Sequence, residues 1–371
     1  MSLVLNDEQQ MLRDAAAAYF SDKASVQAFR DLRKSDQSID NDSWQRISEF
    51  GWPAILAPEA LGGLGFGVSG LGLIAIEAGK NLTVSPLFSS AAICMTALLQ
   101  CEPSSVRDAL IQSISDGKSK CVLVHTENHR FEPQAIESKA TQTSDGYQLN
   151  GSKAYVAEGG YADTLLVVAE LDSKVGLFVV DANASGLSKT KLEMMDRRDY
   201  VNVTLDNVQV VDSQMLKWSN DSTSAIDNLT NVGALMAAAE LYGCALEAFE
   251  RTRVYLGDRE QFGRKIGSFQ ALQHRMAHAF TQLELLKSVL FDAMHALEKD
   301  RKDASLAVSH VKTLANSTAR LVTQEAIQMH GGIGITDELD IGLFYKRARV
   351  LQAVYGDSNF HKNRFANLSG Y

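Results

Sequence analysis

The sequence predicts an α+β chain with a helical, β, helical order. Two observations carry this reading. Apolar residues recur at a three-to-four residue spacing up to about Gly117 and again from about Ser224. Between about Lys120 and Gln214, short β-branched runs alternate with turn residues instead. The same shifts set the expected domains: a helical domain over 1–118, a β-domain over 119–216 and a helical bundle over 217–371.

In the first stretch, Leu12, Ala16, Tyr19 and Phe20 mark one helical face. Asp42 and Ser43 supply an N-cap signal for a helix through Trp44 and Phe50 that ends at Gly51. Gly62-Gly-Leu-Gly-Phe-Gly67 has the look of a dinucleotide fingerprint, but Pro53 and Pro58 interrupt any strand before it, so a tight inter-helix loop is expected. In the second stretch, Val122–Val124, Tyr147–Leu149, Thr164–Ala169, Val175–Val180 and Val201–Leu205 read as strands, with Asn150-Gly151 among the turns. No long helical segments separate them, so an antiparallel sandwich or barrel is expected rather than a parallel sheet. In the third, Leu272, Met276, Leu283, Leu290 and Leu297 form a stripe with Ala279, Leu286 and Ala293 between them. Such a stripe packs in a helical bundle or against a partner subunit.

Composition narrows the function. With 371 residues, 45% of them hydrophobic, the chain can bury a core divided among two or three domains. A net charge of -9 argues against non-specific nucleic-acid binding. No apolar run of membrane-spanning length is expected, and Met1–Asn6 lacks a signal-peptide layout. Cys94, Cys101, Cys121 and Cys244 are scattered, as reduced thiols of a cytoplasmic protein would be. Neither paired cysteines nor an HExxH run is present, and no metal site is expected.

Two segments carry chemistry. Arg259-Glu-Gln-Phe-Gly-Arg-Lys-Ile-Gly-Ser-Phe-Gln270 holds a cation suited to a pyrophosphate, an aromatic face and an amide. Gln328-Met-His-Gly-Gly-Ile-Gly334 adds an amide and open backbone after a helix, although such glycines also serve as a plain helix-ending turn. In this order on this plan, the two segments resemble the acyl-CoA dehydrogenase family. Pro58–Gly65 and Leu149–Asp163 extend the resemblance over nearly the whole chain. It implies an N-terminal helical domain, a middle antiparallel β-barrel-like domain and a C-terminal four-helix bundle, in dimers or dimers of dimers. It also implies FAD held at a subunit interface and α,β-desaturation of an acyl-CoA. In that reaction a carboxylate takes the α-proton while hydrogen bonds stabilise the enolate.

Where the family carries its glutamate, this chain has Tyr355, followed by Gly356 and by Asp357 in place of a cofactor-holding threonine. The alternative base position falls near Gly233, followed by Ala234. A tyrosine base would need its pKa lowered by roughly three units, so a packed or hydrogen-bonded Tyr355 is expected. Asp357 is a carboxylate, but two residues of extended chain displace it by about 6–7 Å. In the β-domain, the family's small residues are replaced in Thr126-Glu-Asn-His-Arg-Phe-Glu132, and its Trp-x-Thr reads Tyr155-Val-Ala157. Thr126 and Tyr155 remain as further cofactor candidates. The resemblance thus implies that the half of the FAD site given to a neighbour is intact at Arg259, Phe262, Gln270, Gln328 and Gly332, while the half kept at home is eroded. The expected role is the non-base-bearing subunit of a heteromeric enzyme, an α2β2 assembly with a sequence-related partner. A bulky, steroid-type acyl-CoA and an electron-transfer acceptor complete it. The alternatives are a self-sufficient homomeric enzyme using Asp357 and an inactive scaffold that binds acyl-CoA or a partner.

Overall fold

The computed structural model describes residues 5–35 and 37–371, so part of the Met1–Asn6 stretch lies outside the described residues. The helical, β, helical order holds. The first helices are α1 (Asp7–Asp22), α2 (Val26–Ser35), α3 (Asn41–Glu49) and α4 (Gly67–Asn81). A π-helical stretch, Leu87–Cys94, then runs into α5 (Met95–Leu99), and α6 spans Ser105–Ser115. Asn6 caps α1 with a reciprocal bond to Gln9. The cap of α3 is Asp40, whose carboxylate accepts from the Asp42 and Ser43 amides, so the predicted start falls about two residues late. Gly62–Phe66 is a loop, folded back by hydrogen bonds from Leu64 to Ala54 and from Phe66 to Ile55, and Gly67 opens α4.

The sheet comprises β1 (Cys121–Val124), β2 (Lys139–Thr143), β3 (Gly146–Ala157), β4 (Thr164–Leu171), β5 (Lys174–Asp181), β6 (Leu187–Lys191), β7 (Tyr200–Val210) and β8 (Met215–Leu216). Its order is β6-β7-β3-β2-β4-β5-β8, with β1 beside β4. It is mixed, which corrects the antiparallel expectation: β1 and β2 each run parallel to β4. Asn150-Gly151 is not a turn but lies at a bulge within β3. Leu149, Leu165, Val167, Phe178, Val203 and Val208 fill the core on one face.

The C-terminal helices are α7 (Ser222–Asp258), α8 (Gln270–Glu298), α9 (Ala304–His330), α10 (Ile341–Leu351) and α11 (Ser358–Leu368), and a small hairpin, β9 (Glu260–Gln261) and β10 (Arg264–Lys265), follows α7. The α7 helix is long and apolar enough to cross a membrane, contrary to the sequence expectation, but 89% of its apolar window is buried inside the protein. The α8 stripe is buried from Ala279 to Ala293, whereas Leu272 and Met276 near its start and Leu297 at its end are only half-buried.

The backbone divides into two compact units. One comprises Met1–Asp31, Val68–Thr83 and Ala234–Tyr371; the other comprises Leu32–Gly67 and Val84–Gly233.

Candidate flavin site

In the first unit, α7 ends by throwing out an arm. The Arg259 amide donates to the Tyr255 carbonyl at 2.8 Å, and the Ile266 amide returns to the Arg259 carbonyl at 2.9 Å. Between them the β9–β10 hairpin turns at Phe262 and Gly263, both left-handed with φ of 57° and 77°. Two positive φ values suit a two-residue hairpin turn, and glycine meets that demand without strain while phenylalanine does not. The result is a phenyl ring 88% exposed, set edge-on to Phe269 with centroids 6.0 Å apart. The Arg264 guanidinium lies 4.1 Å over the Phe269 ring and stiffens the arm. Arg259 and Gln270 are exposed, and their side chains have no partner among the described residues.

The second segment follows α9. Gln328 is exposed, and its side chain is likewise uncommitted among the described residues. Gly331 takes φ 67° and ψ -142°, a conformation that requires glycine, and a Cβ on Gly332 would meet open space. Backbone there is open to a ligand. Tyr255 joins the two segments: its ring stacks on His330 with centroids 4.3 Å apart at 28°.

The loop at the usual base position is built differently. Tyr355 and Gly356 are both left-handed, with φ of 52° and 103°. Lys312 of α9 is fully buried and donates to Asn316 Oδ1 (3.0 Å) and to the carbonyls of Leu351 (3.1 Å), Gln352 (3.3 Å) and Gly356 (2.9 Å). Burial pushes its pKa down to about 7. His361 Nε2 lies 2.9 Å from the Tyr355 carbonyl, and burial pushes its pKa down to about 3. The Asp357 carboxylate caps α11, accepting from the Asn359 and Phe360 amides at 3.0 and 2.8 Å. That carboxylate is already engaged.

At the alternative base position, Gly233 and Ala234 are buried in α7. Two turns along the same helix, Glu240 is a carboxylate, but it is 5% exposed and pairs with Arg347 at 3.0 Å. It is occupied as well.

In the second unit, the 126–132 segment is fastened from behind. Glu127 accepts from Lys153 Nζ at 2.6 Å and from the Glu137 and Ser138 amides at 2.6 and 2.9 Å. Burial opposes its charge, but these bonds hold its carboxyl below the ordinary range, while burial lowers the Lys153 ammonium. The Thr126 carbonyl accepts from the Ala154 amide at 2.7 Å. Tyr155 has φ 54°, lies within the register shift of β3 between Lys153 and Val156 and places its hydroxyl 3.2 Å from His129 Nδ1. Its hydroxyl has a partner within its own chain.

Residues 6–118 match the acyl-CoA dehydrogenase N-terminal domain, and residues 223–368 match the C-terminal domain. The chain belongs to the acyl-CoA dehydrogenase family. Acyl-CoA dehydrogenase IpdE2 of Mycolicibacterium smegmatis is 26% identical over 347 residues, covering 93% of each chain. The short/branched chain specific acyl-CoA dehydrogenase of Bos taurus is 31% identical over 243 residues, 62% of this chain but only 55% of its own length. Among solved structures, the Tcur3481-Tcur3483 steroid ACAD is 28% identical with a TM-score of 0.88 over 98% of both chains. The ChsE4-ChsE5 complex from Mycobacterium tuberculosis shares the fold, with a TM-score of 0.91 over 100% of both chains at 23% identity.

Acyl-CoA dehydrogenases are flavin-dependent oxidoreductases. In this member the arm fits part of FAD: an uncommitted guanidinium, an exposed ring, two amides and open backbone stand free in one unit. The 126–157 region fits less well, since Tyr155 is tied to His129. His274 and His278 of α8 stand four residues apart, a pair the sequence expectation passed over. Among the described residues, no group of three or more metal-ligating side chains is present, and two imidazoles alone make no metal centre.

Proposed function

We propose that this chain is the non-base-bearing subunit of a heteromeric, FAD-dependent acyl-CoA dehydrogenase. It lends Arg259, Phe262, Gln270, Gln328 and Gly332 to a flavin whose ring and base belong to a sequence-related partner, in an α2β2 assembly. One contrast carries the reading. The arm's polar heads are exposed and uncommitted, while both base positions lack a carboxylate and the nearby Asp357 caps a helix.

Arg259 would pair with the pyrophosphate by charge-assisted hydrogen bonds, Phe262 would cover a ring face, and Gln270 and Gln328 would bond polar edges. Gly332 keeps the backbone close to that end. Bound flavin supplies the hydride acceptor for the β-hydrogen, and the α-proton passes to a carboxylate that the partner provides. The domain boundaries at 118 and 216 separate the regions that would face the two halves of the site.

A bulky, steroid-type acyl-CoA is the favoured substrate class, with a separate electron-transfer acceptor. The Gly356, Asp357 and His361 spacing supports it, as does the likeness to a solved steroid ACAD at 28% identity. Four free, buried cysteines suit a reducing cytoplasm. A self-sufficient enzyme using Asp357 fits poorly, because that carboxylate would have to leave its cap. Expression with and without the genomic neighbour tests the proposal. Flavin and dehydrogenase activity are expected only together with the partner, and full occupancy and turnover by the lone chain would refute it.

A further inference from the structure

We infer that Tyr255 is the positioning residue of the flavin half-site, holding the Arg259–Gln270 arm in register with the Gln328–Gly334 turn. The inference rests on the reading that these two segments meet FAD together. They lie far apart in sequence, and among the described residues the candidate ligand groups of one make no hydrogen bond to those of the other. Two links join them: the Tyr255–His330 ring stack at the start of the arm and the Arg275–Glu325 ion pair between α8 and α9 beyond its end. Tyr255 sits in the last turn of α7, and its carbonyl accepts from the Arg259 amide at 2.8 Å, so any tilt of Tyr255 carries the first residue of the arm with it. Its ring lies against His330 with centroids 4.3 Å apart at 28°, and its hydroxyl reaches the His330 carbonyl at 3.4 Å.

His330 is itself fixed. Its Nδ1 lies 2.7 Å from the Ala326 carbonyl one turn back on α9, which sets the ring against that helix. The next residue is Gly331, where the chain turns left-handed. The turn that follows the returning strand is held too: a Cβ on Gly267 would press on the Leu256 carbonyl at 2.8 Å, so the Ile266–Ser268 turn packs tightly against the end of α7. Arm to α7, α7 to Tyr255, Tyr255 to His330 and His330 to the turn is therefore a continuous packed chain. Arg251 also ties α7 to Asp340, at 2.7 Å, but that bond holds the segment beyond the turn. A bidentate cation and an amide misplaced by about 1 Å lose much of their joint grip on a ligand.

The stack matters more than the hydroxyl, because 3.4 Å is long for a hydrogen bond between oxygens. The test is made on the co-expressed complex, with FAD dissociation followed by flavin absorbance and fluorescence after ultrafiltration. Tyr255→Phe keeps the ring and should hold FAD within twofold of the parent. Tyr255→Leu should weaken FAD at least tenfold, while KM for the acyl-CoA and kcat at saturating FAD stay within twofold. A merely structural Tyr255 would lower the melting temperature of the flavin-free protein and leave FAD affinity unchanged. That result overturns the inference, as does an equal loss in Tyr255→Phe. If the lone chain proves to bind FAD, the subunit reading fails, but the same pair of variants measured on the lone chain still decides the role of Tyr255. A parent complex with no flavin at all would sink both.

Discussion

The arm after α7 and the loop before α11 belong to the same compact unit, yet their polar groups are handled in opposite ways. In the arm, Arg259 and Gln270, like Gln328 at the end of α9, are exposed and uncommitted among the described residues, and Phe262 stands out in a strained turn. In the loop, Lys312 satisfies three carbonyls and an amide, His361 holds the Tyr355 carbonyl and Asp357 caps a helix. Groups meant for a ligand cost little to leave solvated and are ready to bind. Lys312 and His361 are buried and bonded into the fold, and releasing them for chemistry would cost several kcal/mol, whereas Asp357 is exposed and is held by its Oδ1 cap. The same contrast extends to the β-domain, where Lys153 and Glu127 are buried together.

If this division is right, substitutions in the two kinds of region should move different observables. The largest effect is expected for Lys153→Met, which leaves the Glu127 carboxylate buried and unpaired. It should lower stability by about 3–5 kcal/mol in chemical denaturation. A loss below about 1 kcal/mol would show that the pair is less buried than described.

Acid should weaken the fold through His361 and His125, whose pKa values burial pushes down to about 3 and about 4. Both bind protons more readily in the unfolded chain, where the ordinary value is about 6.5. Their contribution is therefore complete above about pH 6.5 and is lost as pH falls toward those depressed values. Lys312 and Arg364 oppose a charge on His361 while Asp357 favours it, and Lys153 opposes a charge on His125 while Glu127 favours it. His361→Gln should flatten the acid limb of a stability profile measured from pH 7 to pH 4, and an unchanged limb would contradict the assignment.

Arg259→Ala should act the other way. Loss of a charge-assisted pyrophosphate contact is worth about 2–3 kcal/mol, roughly a 30- to 160-fold weaker grip on FAD in the complex. The flavin-free melting temperature should stay within a degree or two, because the Arg259 side chain has no partner among the described residues to lose. The smallest effect is expected at Asp357. Asp357→Ala removes a cap worth about 1 kcal/mol, whereas Asp357→Asn keeps it and should leave turnover of the complex within twofold. Abolished turnover with FAD still bound in Asp357→Asn would restore that residue as a base.

Much of the fold was legible locally. Helical periodicity marked the region from about Ser224 as helical and traced the α8 stripe, and β-branched runs located β1, β3, β4, β5 and β7. The strands β2 and β6 were not predicted, because Lys139–Thr143 and Leu187–Lys191 are polar and mostly solvent-facing. Parallel pairing of β1 and β2 with β4 is set by tertiary connections, which no local pattern encodes. At the site, the glycines, the arginine and the absent glutamate could all be read from the sequence. The engagement of Asp357 could not, although an aspartate before Ser358-Asn-Phe360 is a helix-cap signal in its own right. Burial of Lys312 and Lys153 was hidden, since lysine is among the residues least often found inside.

The most direct test of the central claim is the visible absorption spectrum of the purified chain alone and of the chain co-purified with its sequence-related partner. Little flavin absorbance is expected for the lone chain and about one FAD per heterodimer for the pair. A lone chain carrying one FAD per subunit and dehydrogenating an acyl-CoA would contradict it.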